Sequence, residues 1–141
     1  MPCVITHMGS RLRIVFVGTL TNKDLLDGAE RVAEIEQRCA VIPHRTADLR
    51  PIERLEIDFE GVLALAKVRR QIPFQNRFKS ALIANTTVHY GFARMYQTLN
   101  DHPQMCIAIF EDDGPADAWL SLDGVSPPEV VWRPEPSWIL R

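Results

Sequence analysis

The side chains with the strongest claim to acid–base or metal chemistry are His44, Asp48, Asp58, Glu60, His89, Asp101 and His102. An active site needs such groups brought together, and nothing in their spacing does so. The sequence holds no H-E-x-x-H, no G-x-S-x-G, and no Walker or dinucleotide glycine pattern; Gly61 and Gly91 stand alone, so no loop is built to cradle a phosphate. His102, between Asp101 and Pro103, falls where a histidine meets the end of a helix and its dipole. His89 is the better functional candidate, since it follows a strand end in a first helical turn, although an exposed surface position is expected for it. Cys3, Cys39 and Cys106 are odd in number and widely spaced, which fits neither a disulfide framework nor a zinc site and suits a reducing, cytoplasmic setting. Cys106 lies in the apolar run 105–110 and is expected to pack as a small hydrophobe. The chain therefore reads as non-enzymatic, with no cofactor and no metal.

Lys67, Arg69, Arg70, Arg77 and Lys79, with Phe74 and Phe78 among them, form the densest basic stretch and resemble in composition a nucleic-acid surface. Cations in the last turn of a helix also complement its dipole, and Glu53, Glu56, Asp58 and Glu60 cancel much of the local field. With a net charge of -2 and a pI near 6.1, nucleic acid is not an expected partner. No apolar run approaches the roughly 18 residues of a membrane span, so membrane insertion is not expected. A hydrophobic content of 46% in 141 residues is enough for one self-sufficient core.

The elements that must position these residues follow from periodicity and breakers. Leu12, Ile14 and Phe16 alternate in a half-buried strand, and Gly9-Ser10 turns it back on a short strand near residues 3–7. Thr21 with Asp24 three residues on is a capping arrangement for a helix over about 22–38. Residues 45–49 are a weak strand by composition, expected from their place between two helices. Asp58 caps a second helix through Phe59, Val62, Leu63 and Ala66; residues 78–84 are an apolar strand; Thr86 or Thr87 caps a third helix. Residues 105–110 form another apolar strand, and Gly114-Pro115 opens a last helix. The expected order is ββαβαβαβα, an α/β fold with a mostly parallel sheet of four to five strands, an N-terminal antiparallel hairpin and about four helices. The apolar strands near residues 80 and 107 are expected side by side at its centre. Residues 1–124 make one domain. Residues 125–141 carry Pro127, Pro128, Pro134 and Pro136 with Val130, Val131, Trp132 and Trp138, a tail too apolar to hang free.

This order, with Ala47-Asp48-Leu49 and Ile57-Asp58-Phe59-Glu60-Gly61-Val62-Leu63, resembles the STAS domains typified by anti-sigma-factor antagonists of the SpoIIAA type. Tyr90-Gly91-Phe92-Ala93-Arg94-Met95-Tyr96 and Ala116-Asp117-Ala118-Trp119-Leu120 look like the SpoIIAA-like group of small bacterial proteins. The resemblance covers about residues 11–122. It implies a non-enzymatic protein-interaction or regulatory domain. In the antagonists a serine of Asp-Ser-Ser-Gly at a helix start is phosphorylated to control partner binding. The matching positions here read Asp58-Phe59-Glu60-Gly61, and residues 47–79 contain no Ser, Thr or Tyr. Glu60 is then either a fixed imitation of the phosphorylated state or an ordinary acid in a first turn.

Two roles follow as expectations. One is binding of a protein partner around Asp58, Glu60 and the second helix, with the tryptophan-bearing tail either completing the fold or forming a homodimer contact. The other is a small-ligand sensor for a nucleotide or lipid, with Asn85, Thr86, Thr87 and His89 lining a crevice at strand C-terminal ends.

Overall fold

The structure is a computed structural model, and it describes residues 2–134. Pro136 and Trp138 of the expected tail lie outside the described residues.

The chain opens with β1 (Cys3–Met8) and β2 (Arg11–Phe16), paired antiparallel with Met8 opposite Arg11. That register leaves a two-residue loop, and Gly9 supplies the positive φ of 60° that such loops demand at their first position. β3 (Gly18–Thr21) leads into α1 (Asn22–Gln37), where Thr21 Oγ1 accepts from the Asp24 amide and Asp24 accepts from the Thr21 amide, a reciprocal capping box. Next come β4 (His44–Asp48), β5 (Ile52–Glu56), α2 (Phe59–Arg70), β6 (Phe78–Ile83), α3 (Thr87–Leu99), β7 (Met105–Phe110) and α4 (Asp113–Ser121). Pro115 sits in the first turn of α4, capped by Asp112.

The main sheet has the order β1-β2-β4-β6-β7, with all pairs after the hairpin parallel. The expected α/β architecture and hairpin are present, with two additions. β3 and β5 pair parallel into a separate small sheet, so the order gains two strands over the ββαβαβαβα reading. The stretches near 80 and 107 do pair, but β7 is an edge strand and the centre belongs to β4, the strand that looked weakest.

Strand alternation sorts side chains onto two faces. Leu12, Ile14, Ala47, Leu49 and Leu82 meet Leu25, Val32, Leu65 and Ala93 of α1, α2 and α3 in the principal core. On the other face Ala81, Ile83, Ala108 and Phe110 meet Ala116, Trp119 and Leu120 of α4. Each of the Val, Leu, Ile and Phe side chains among them contributes about 1.5–3 kcal/mol on burial. The described part of the tail folds back on the domain: Trp119 Nε1 donates to Ser126 O at 2.9 Å, and Trp132 packs edge-on to Tyr90 with centroids 5.5 Å apart.

Candidate functional site

The amino ends of α1 and α2 meet at one corner. Asp58 Oδ1 accepts from the Gly61 amide at 2.8 Å, capping α2, and also from Asn22 Nδ2 at 3.1 Å, while Asn22 Oδ1 accepts from the Asp58 amide. The Gly61 amide and the Asn22 side chain hold the Asp58 carboxyl below the usual aspartate range. A Cβ at Gly61 would overlap the Asn22 side chain, so a larger residue there would push Asn22 off its bonds with Asp58. Glu60 is exposed and makes no ion pair among the described residues, and Phe59 beside it is 52% exposed.

Asn85, Thr86, Thr87 and His89 lie at the junction of β6 and α3 and do not act as one polar set. Thr86 Oγ1 caps α3 by accepting from the His89 amide at 3.1 Å; Asn85 and Thr87 are exposed. His89, expected on the surface, is buried, with Nε2 3.0 Å from Ile52 O. A carbonyl only accepts, so Nε2 carries the proton, and Nδ1 is left without a partner. The strand β5, unforeseen in sequence, supplies that carbonyl and draws the ring inward. His102 is also buried; Nε2 lies 2.7 Å from Ile72 O, just past the end of α2, and Nδ1 accepts from the Gln104 amide. No group of His, Cys, Asp or Glu among the described residues is arranged to hold a metal ion.

Asp48, at the end of the central strand, is tied into an ionic lattice on the α4 face. It accepts from Arg13 at 2.9 Å and from Arg50 Nε, Nη2 and backbone N, while Asp113 at the start of α4 accepts from the same two arginines at 2.9 and 2.7 Å. Burial raises the Asp48 carboxyl, but the Arg50 hydrogen bonds and the two guanidinium charges outweigh it and hold it below the usual range; Asp113 is depressed in the same way. A depressed folded value stabilises above the ordinary aspartate pKa and loses that contribution as pH falls through the folded value. Thermal unfolding should therefore show a melting temperature that drops on acidification below about pH 4. In Asp48→Asn that drop should be shallower, with about 1–2 kcal/mol already lost at neutral pH. An unchanged acid limb would remove this lattice from the stability of the fold.

The most buried ionic cluster was missed by sequence reasoning. Glu36 of α1 accepts from Arg69 Nη1 and Nη2 of α2, both at 2.8 Å, and from Arg45 Nη1 of β4. All three are at most 4% exposed. Arg45 lies over the Phe78 ring at 4.2 Å and Arg69 over Phe74 at 5.1 Å. Burial raises the Glu36 carboxyl, yet the hydrogen bonds from Arg69 and the charge of Arg45 hold it below the usual range. A signal existed in the sequence: Glu36 continues the stripe Leu25, Gly28, Val32, and Arg69 continues Val62, Leu65, Ala66, so each charge occupies an interior position of its helix. Arg69 and Lys79 are both buried, which leaves only Lys67, Arg70 and Arg77 of the basic stretch exposed; Lys79 Nζ donates to the carbonyls of Trp119 and Leu122 at the end of α4.

No family model and no curated protein matches the chain. Among solved structures, the chain is similar to an uncharacterized protein from the DUF3478 family with a SpoIIAA-like fold, from Shewanella loihica PV-4. The two are 17% identical, the match covers 84% of this chain and 91% of the other, and the TM-score is 0.55. No helix among the described residues is long and apolar enough to cross a membrane. The parallel sheet begun by a hairpin, the helices on its two faces and this likeness agree: the chain has the SpoIIAA-like fold.

Proposed function

We propose that this chain is a non-enzymatic regulatory domain that binds a protein partner through the amino end of α2, around Asp58, Phe59 and Glu60. The observation that carries the reading is the Asn22–Asp58–Gly61 lock, which fixes the corner while Phe59 and Glu60 remain exposed. An apolar ring beside a fixed negative charge on a rigid helix start combines the anchor and the orienting charge that interfaces use. The lack of a hydroxyl at positions 47–79 makes that charge constant, so regulation would act through partner abundance. The candidate acids and histidines support a non-catalytic role, since Asp48, Asp58, His89 and His102 are each engaged in separate structural bonds. Free Cys3, Cys39 and Cys106 suit a cytoplasmic setting.

The test is affinity capture from lysate with wild type beside Phe59→Ser, Glu60→Lys and a chain ending at Gly124. Substitutions at these exposed positions should change stability by no more than about 0.5 kcal/mol. A partner held by wild type should bind Phe59→Ser and Glu60→Lys about tenfold or more weakly. Retention of the same partner at wild-type strength by both would place the surface elsewhere.

A further inference from the structure

A cavity of about 90 Å³ lies on the main-core face of the sheet, beneath α1, α2 and α3. Its walls are largely apolar, with Ile14, Leu25, Val32 and Leu82 among them. Four polar side chains also line it: Arg45, Arg69, Ser80 and Tyr96. Two of these belong to the buried ionic cluster, and the charges there do not balance. Arg45 and Arg69 share the single carboxylate of Glu36, and Glu36 and Arg69 are the charged side chains whose fields reach Arg45, with the Tyr96 phenol beside them. One positive charge is left over in a region removed from water, where an unpaired ion is strongly disfavoured.

The donors are as telling as the charge. Arg45 is 3% exposed; its Nη1 donates to Glu36 and its Nη2 to Pro43 O, but its Nε has no partner. A buried guanidinium donor left empty is costly unless something occupies it. Tyr96 Oη already accepts from Asn100 Nδ2 at 2.8 Å, so what the phenol still offers is its proton. The cavity thus presents a surplus cation and free donors at its polar wall, and hydrocarbon elsewhere.

We infer that this cavity binds a short aliphatic monocarboxylate, its carboxylate accepting from Arg45 Nε–H and the Tyr96 hydroxyl and its hydrocarbon body lying against Ile14, Leu25, Val32 and Leu82. The bound anion makes the cluster neutral: two guanidiniums, Glu36 and one further carboxylate. The size argues for a short body, since the volume is only a few times the roughly 30 Å³ share of one water in the liquid. A neutral molecule would leave the charge unbalanced, and an inorganic anion would leave the apolar wall unfilled. The cavity lies beneath the helices, and the exposed Phe59 and Glu60 at the amino end of α2 do not line it.

The experiment is calorimetric titration of the wild-type chain with butyrate, butyramide, decanoate and chloride, accompanied by backbone amide shifts to locate the site. Butyrate should bind saturably at one site, at least about tenfold more tightly than butyramide and more tightly than decanoate or chloride, and should move the amides of Arg45, Ser80 and Tyr96. Arg45→Gln should weaken butyrate by about tenfold or more. Because that substitution also disturbs the ionic cluster, Tyr96→Phe, which keeps all three charges, is measured alongside and should also weaken butyrate. Equal binding of butyrate and butyramide, preference for decanoate or chloride, absence of butyrate binding by wild type, or amide shifts confined to the α2 corner would each overturn the assignment.

Discussion

Glu36→Ala should be among the most damaging single substitutions in the chain, costing about 3–5 kcal/mol, against a total stability of about 5–15 kcal/mol for a domain of this kind. The reason is not the loss of three hydrogen bonds alone. Removing the carboxylate leaves Arg45 and Arg69 as two like charges in the interior, with α1, α2 and β4 converging on them. Urea unfolding of the purified chain checks this by its midpoint. The complementary variant replaces all three members, Glu36→Leu with Arg45→Met and Arg69→Met, and should recover most of the loss, because hydrocarbon of similar volume has no charge to desolvate. If Glu36→Ala unfolds at the wild-type midpoint, the cluster does not hold the helices to the sheet. Acid acts in the same direction: Glu36 is depressed in the fold, so its contribution is present above the ordinary glutamate value and is lost as pH falls through the folded value.

Trp119→Ala should cost about 3–5 kcal/mol by a different route. Trp119 is buried against Phe110, with ring centroids 5.4 Å apart, and it is the largest side chain in the second core. Its backbone carbonyl accepts from Lys79 Nζ and its indole N–H donates to Ser126 O, so it also joins α4 to the beginning of the tail. Truncation opens a void over Ala81 and Ala108 and leaves the Ser126 carbonyl without this donor. Hydrogen exchange should then accelerate first in residues 113–126, with α1, α2 and α3 retaining protection, since their core lies on the opposite face of the sheet. Uniform loss of protection would mean that the two faces unfold together.

The parts of the fold that sequence reading reached are those written locally. Thr21 with Asp24, Asp58 and Thr86 each announce a helix start, and each does cap one. Gly9 marks the hairpin for the same reason, a backbone angle that other residues resist. The parts missed depend on distant partners. β3 is four residues and β5 mixes Ile52 and Leu55 with the exposed Glu53, Arg54 and Glu56; they become strands by pairing across more than thirty residues of chain. β4 looked weak because Arg45 and Asp48 are poor strand formers alone, yet both are buried at the sheet centre by charge partners from other elements.

The same division applies to the candidate site. Asp58 and Glu60 are legible because a helix start is a local signal, and the structure keeps Glu60 exposed. His89 and the Asn85–Thr87 segment read as a crevice only while β5 is unknown; its Ile52 carbonyl turns His89 into an interior tie. The cluster of Glu36, Arg45 and Arg69 escaped because each residue alone resembles a solvated charge, and only the coincidence of opposite signs on three apolar stripes reveals it.

The proposed binding role stands or falls on the α2 corner. Hydrogen exchange of the wild-type chain, alone and saturated with a partner captured through it, locates the contact directly. Exchange should slow across residues 58–64, with β4 unaffected. Protection confined to the β1 edge, the α4 face or the tail, with residues 58–64 exchanging as in the free chain, would contradict it.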